Sequence, residues 1–156
     1  MGRGSDDGDA RRATLAGFCA ILVGIGLARF AYTPLIPALI DEAWASPAAA
    51  AYIGAANLAG YFVGALAALR LVARYRLTTV LRVMMLLAAA SFFACAWPLS
   101  ESWLVGWRAI AGIAGGVLMV LGAPAVLAVI PEARRGLAGG VIFAAVGLGI
   151  IAAGTL

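Results

Sequence analysis

Residues 103–130 read WLVGWRAIAGIAGGVLMVLGAPAVLAVI and carry a single charge, Arg108. At 1.5 Å per residue, a helix of this length exceeds the ~30 Å of bilayer hydrocarbon. The stretch is a membrane span. Outward from it lie four more apolar runs, over about 14–40, 48–71, 77–97 and 136–156. The expected fold is an all-α membrane protein of about five transmembrane helices over 14–156. Residues 1–13 form a polar tail. It reads as a cytoplasmic lead into an uncleaved first helix: the run behind it is too long for a signal-peptide core, and no small-residue cleavage site is clear. The first run holds Arg29, Pro34 and Pro37. It is longer than the bilayer needs, so it must tilt, kink or project, and the prolines place a bend in its last third.

Composition agrees. Of 156 residues, 65% are apolar and 12% charged, and mean hydropathy is +1.05. Soluble domains are nearer half apolar and a quarter charged. Five crossings leave little chain for a soluble catalytic domain. His is absent, which removes the commonest general base and zinc ligand. Cys19 and Cys95 lie inside apolar runs, where buried, inert thiols are expected, and their spacing supports neither a disulfide nor a metal site. The sequence has no phosphate loop, metal cluster, nucleophile with base, or nucleic-acid module. Its glycine-rich strings lie in helices and not after a strand, which argues against a dinucleotide site. No cofactor, metal or nucleic-acid partner is expected; the lipid bilayer is.

Topology follows from charge. All eleven basic residues are Arg. Nine of them (3, 11, 12, 70, 74, 76, 82, 134 and 135) fall in the tail and in the second and fourth turns. The first and third turns carry none, and hold Asp41, Glu42 and Glu101. By the positive-inside rule the N-terminus is cytoplasmic. Trp44, Trp97 and Trp103 then form an aromatic belt at the outer interface.

The remaining arginines, Arg29 and Arg108, lie inside spans. Placing Arg at a helix centre costs roughly 2.5–3.5 kcal/mol on insertion scales. Each could be held by backbone carbonyls, and Arg108 could snorkel to the interface. The sharper reading is that they line a polar cavity and hold an anion, because no span contains a carboxylate to pair with either. Tyr32 and Thr33 add polar groups at a similar depth. In the second run Gly54, Asn57, Tyr61 and Gly64 are spaced for one face, with Asn57 and Tyr61 as cavity candidates. Gly60 and Gly64 form a small-xxx-small pair whose ordinary role is close helix packing.

The strings GIGLARFAYTPLIP (residues 24–37), Arg108-x-x-x-Gly112-x-x-Gly115 and PEARRG (residues 131–136) together resemble the major facilitator superfamily, and within it the YbfB/YjiJ-like branch. The resemblance spans the chain after its tail. It implies the N-terminal half of the major facilitator fold, with the Arg of the fourth helix facing the cavity and linked to coupling. The superfamily's signature between the second and third helices begins with Gly, matched by Gly64, but its acid falls at Ala68. The antiporter subgroup's Gly-Pro step in the fifth helix is missing. Such transporters have two six-helix halves with the site between them, so a C-terminal half is an expected partner and the chain reads as a fragment. The expected function is secondary active transport of a small organic solute, anionic by its cavity cations, in a bacterial inner membrane. Protons are the candidate coupling ion, although no span shows a proton-carrying carboxylate. The cavity candidates are Arg29, Tyr32, Asn57, Tyr61 and Arg108. A truncated, non-transporting membrane protein or assembly partner is the alternative.

Overall fold

The computed structural model describes residue 12 and residues 14–27, 32–97, 99–128 and 130–154. All regular structure among them is helical. Helix α1 covers residues 14–21 and runs into a π-helical stretch, Leu22–Leu27. Then follow α2 (Tyr32–Asp41), α3 (Pro47–Arg74), α4 (Leu77–Cys95), α5 (Glu101–Ala128) and α6 (Glu132–Gly154). Four of these, α3 to α6, are long and apolar enough to cross a membrane. The described parts of the first run are α1, its π-helical stretch and α2.

The described part of that first run is not uniformly α-helical. An irregular stretch at Leu22–Leu27 precedes the prolines. Its sequence, LVGIGL, has two glycines, which weaken an α-helical ladder. A Cβ added at Gly26 would stand 3.0 Å from both Ala145 O and Gly149 Cα of α6. The missing side chains therefore allow a close approach of two backbones. Pro34 sits in the first turn of α2, where its lost donor costs little. Pro37 lies inside α2 and does remove a ladder bond.

The helix ends are set by local chemistry, and several differ from the expected bounds. Ser46 caps α3, its Oγ accepting from Ala49 N at 3.1 Å, with Pro47 in the first helical position. At its other end α3 runs to Arg74, past the expected stop at Leu71. Ser100 caps α5 by accepting from Trp103 N at 3.1 Å, so α5 starts at Glu101 and not at Trp103. Glu101 then stands in the first turn, where the helix dipole favours an acid. The expected PEARR turn is mostly helix: α6 starts at Glu132, which again stands as an acid in a first turn. Arg135 of α6 turns back to the end of α5. Its Nε donates to the carbonyls of Leu127 (3.1 Å) and Ile130 (3.0 Å), and its Nη1 meets Glu132 Oε1 at 3.3 Å. The guanidinium thus satisfies carbonyls that a helix end leaves bare. Between α2 and α3 the chain reverses through Ala43, whose φ of 56° is left-handed.

Helix α5 is the centre of the bundle, and every core cluster contains part of it. Ala123 packs with Ile21 of α1 and with Ile142 and Ala145 of α6. Leu104 packs with Tyr32 of α2 and with Ala49 and Ile53 of α3. Val117 and Leu121 pack with Ala68 of α3 and Val80 of α4. The tightest seam is between α3 and α5. A Cβ on Gly60 would collide with Ala109 O, and one on Gly64 with Ile113 O. In return, a Cβ on Gly112 would collide with Asn57 O, and one on Gly116 with Tyr61 O. One turn along α3 is matched by one turn along α5 in the same direction, so the two helices run parallel. Four glycines bring their backbones into direct contact, as small residues do between membrane helices. The opposite side of α3 exposes Phe62, Leu66 and Leu69, an apolar face suited to lipid. Cys19, expected to be buried, is exposed on α1. An apolar run does not decide which of its faces meets lipid.

Candidate functional site

Arg108 lies about two turns into α5 and is only 8% exposed. Two neighbouring helices hold it. From α2, the ring of Tyr32 lies under the guanidinium, with Cζ 4.6 Å from the ring centroid. From α3, the Nδ2 of Asn57 donates to the backbone carbonyl of Arg108 at 2.9 Å. The Tyr32 hydroxyl is itself anchored, donating to Ala50 O of α3 at 2.9 Å. The ring is thereby fixed in position before any ligand arrives. A desolvated cation over an aromatic face gains about 2 kcal/mol, comparable with the roughly 2.5–3.5 kcal/mol that an Arg costs in a span.

The Arg108 side chain forms part of the wall of a cavity of about 400 Å³. Tyr32, Leu35 and Leu39 of α2 line one side, and Ser91, Phe92 and Cys95 of α4 another. Ile53 of α3 and Leu104 and Ala111 of α5 contribute as well, and Glu42 and Trp44 come from the α2–α3 turn. The hydroxyl of Ser91 donates to Leu87 O at 2.7 Å within its own helix, so that hydrogen is already used. The wall is therefore mainly apolar, with one buried cation inside and one exposed acid, Glu42, in the turn.

The end of the bundle around this cavity is tied together. Ser46 N donates to Glu101 Oε1 at 3.3 Å, joining the α2–α3 turn to the start of α5. Trp103 Nε1 donates to Ala94 O at 2.9 Å, joining α5 to the last turn of α4. Trp103 and Trp107 meet edge to face, with centroids 5.6 Å apart. These contacts fix the end of α4 that carries Cys95 and the start of α5 that leads to Arg108.

The five sequence candidates divide accordingly. Arg108 and Tyr32 come together in the cavity wall. Asn57 is buried, 4% exposed, but it reaches Arg108 through the backbone and is not part of the wall. Tyr61 lies one turn further along α3 and is half-buried outside the wall; its carbonyl abuts Gly116. Arg29 lies outside the described residues. The residues that sequence reasoning missed are Ser91, Phe92 and Cys95 of α4 together with Glu42 and Trp44. Ser91 and Cys95 did leave a signal: two non-aliphatic residues four apart on one face of an apolar helix.

Chemically, the cavity presents one buried cation, Arg108, and one exposed acid, Glu42, in a mainly apolar wall, with no metal-ligating cluster among the described residues. A chamber of this size and lining suits a small, partly apolar solute. A family model described as "Uncharacterised MFS-type transporter YbfB" matches residues 21–156. No curated protein and no solved structure gives a significant match.

Proposed function

The chain belongs to this YbfB-like family of MFS-type transporters, and on that footing we propose that it serves the secondary active transport of a small organic anion. It is an integral membrane protein of a transporter family, not of an enzyme family. What goes beyond membership is the solute. One observation carries the proposal: a nearly buried arginine, seated on the Tyr32 ring, forms part of the wall of a cavity of about 400 Å³ that is otherwise mainly apolar. A cation in a span is costly to keep and therefore marks a solute or ion path. The expected substrate is a carboxylate of modest size.

In this proposal Arg108 binds the charged head. Tyr32 fixes the guanidinium, and Leu35, Ile53, Phe92 and Leu104 contact the body. Arg29, from the sequence, is a second cation for the same path. Asn57 and the glycine seam set the register that presents Arg108. The membrane is the inner membrane of a bacterium, with the N-terminus in the cytoplasm, as supported by the distribution of arginines between the turns. A second half-bundle, as in other two-half transporters, would close the cavity from the other side and allow alternating access. Protons are the proposed coupling ion.

The test is uptake of labelled carboxylates, sugars and amino acids into vesicles reconstituted with a complete, two-half homologue that keeps Arg108 and Tyr32, with and without an imposed proton gradient. Uptake of a carboxylate that rises with the gradient is expected. Uptake of neutral solutes alone, or gradient-independent leakage of all of them, would overturn the anion assignment.

A further inference from the structure

Beyond transport, we propose that α3 and the α3–α4 turn form a binding site for an anionic phospholipid. The site is a stripe along α3. Phe62, Leu66, Arg70 and Arg74 follow one another at intervals of four residues, so each adjoins the next along a row that winds about a third of the way round the helix from end to end. All four are exposed, as is Leu69 beside them. The stripe changes character along its length, being apolar at Phe62, Leu66 and Leu69 and cationic at Arg70 and Arg74. Arg76 continues the positive charge into the turn and is also exposed.

Among the described residues, no acid neutralises these charges. Among the described residues, the side chains of Arg70, Arg74 and Arg76 make no hydrogen bond or ion pair. No acid occurs between Asp41 and Glu101. The position nearest in sequence at which an acid would sit inside the seam is Ala68, which is fully buried against Val80, Val117 and Leu121. Like charges spaced four apart on a helix repel one another. An external anion relieves that repulsion, and arginine presents its donors in a fork that matches a phosphate.

The dimensions select a lipid over a free anion. From Arg74 back to Phe62 is twelve residues, about 18 Å along the helix. That is close to the ~15 Å thickness of one hydrocarbon leaflet. A phosphate at Arg70 and Arg74 would lay its acyl chain along Leu66 and Phe62, on a face that turns away from the rest of the protein. A water-soluble anion would use the arginines and leave the apolar half of the stripe unused. Helix α6 also exposes apolar residues, but its basic residues are Arg134 and Arg135, and Arg135 is engaged with α5.

The experiment is native mass spectrometry of the purified protein in mild detergent, titrated with phosphatidylglycerol or with phosphatidylcholine of the same chains. Phosphatidylglycerol is expected to bind at least ten-fold more tightly than phosphatidylcholine. The double variant Arg70→Gln/Arg74→Gln should lose that preference, while Arg70→Lys/Arg74→Lys should keep most of it. Leu66→Ser should weaken phosphatidylglycerol binding while leaving the helical circular dichroism unchanged. Equal binding of the two lipids, or an unchanged preference in the Gln variant, would overturn the proposal. So would displacement of the lipid by inorganic phosphate at equal concentration, which would reveal an anion site without a lipid seat. If the Gln variant does not fold, the Leu66→Ser variant and the phosphate competition still decide.

Discussion

At the scale of single residues, the distinctive feature is a cation held by an aromatic ring inside a membrane bundle. Tyr32 does two things at once, and two variants separate them. Tyr32→Phe keeps the ring under Arg108 and removes only the bond to Ala50 O, so it should cost about 1 kcal/mol in stability and leave carboxylate binding within a few-fold. Tyr32→Leu removes the ring face as well, and should weaken binding by ten-fold or more. Titration of a bound carboxylate against both variants checks the order; equal losses would mean that the hydroxyl and not the ring matters. Arg108 was legible in the sequence because an arginine in an apolar run is costly wherever it points. Tyr32 was legible from its place beside the first run's arginine. The role of Asn57 was not. Its spacing indicated a face of α3, and that face proved to be the one touching α5, where Asn57 holds a backbone carbonyl. A sequence shows which residues share a face but not what lies opposite, and for the same reason Phe92 and Cys95 of α4 went unseen as cavity wall.

At the scale of helices, the α3–α5 seam sets the position of everything around Arg108. Gly64→Ala places a methyl on the carbonyl of Ile113, a backbone atom that moves only if the helices separate. Overpacking of this kind costs about 1–3 kcal/mol. By contrast, Gly106, Gly136 and Gly140 have no neighbour where a Cβ would stand, and alanine there should not destabilise and should add up to about 1 kcal/mol through its better helix propensity. Thermal unfolding in detergent of the four variants provides the check, and a Gly106→Ala as damaging as Gly64→Ala would contradict the packing described here. The turn between α2 and α3 offers the opposite sign. Ala43 adopts a left-handed conformation that costs a side-chain residue about 1 kcal/mol, so Ala43→Gly should raise the unfolding midpoint. The small-residue pair of α3 was readable in advance as packing, whereas its partner on α5 needed the structure, because glycine is frequent throughout the chain. The π-helical stretch at Leu22–Leu27 was not readable. It arises where Gly26 meets Gly149, and residues so distant in sequence leave no local signal of their meeting.

For the whole molecule, membership of an MFS-type transporter family and four long apolar helices fix its class. The class was legible early because apolar length and arginine placement are properties of composition and order, which need no tertiary contact. The orientation remains a proposal with a direct check. In a cysteine-free background, Ala43→Cys should react with a membrane-impermeant maleimide added to intact cells, and Thr78→Cys should react only after lysis. The reverse pattern would invert the topology. The central claim is that Arg108 is the seat of an organic anion, and calorimetric titration tests it most directly. Small carboxylates and their uncharged amides are titrated into the purified protein, its Arg108→Lys variant and its Arg108→Gln variant. The account predicts that at least one carboxylate binds while its amide does not, that Lys retains part of the affinity, and that Gln loses ten-fold or more. Equal binding of acid and amide, or full affinity in Arg108→Gln, would contradict it.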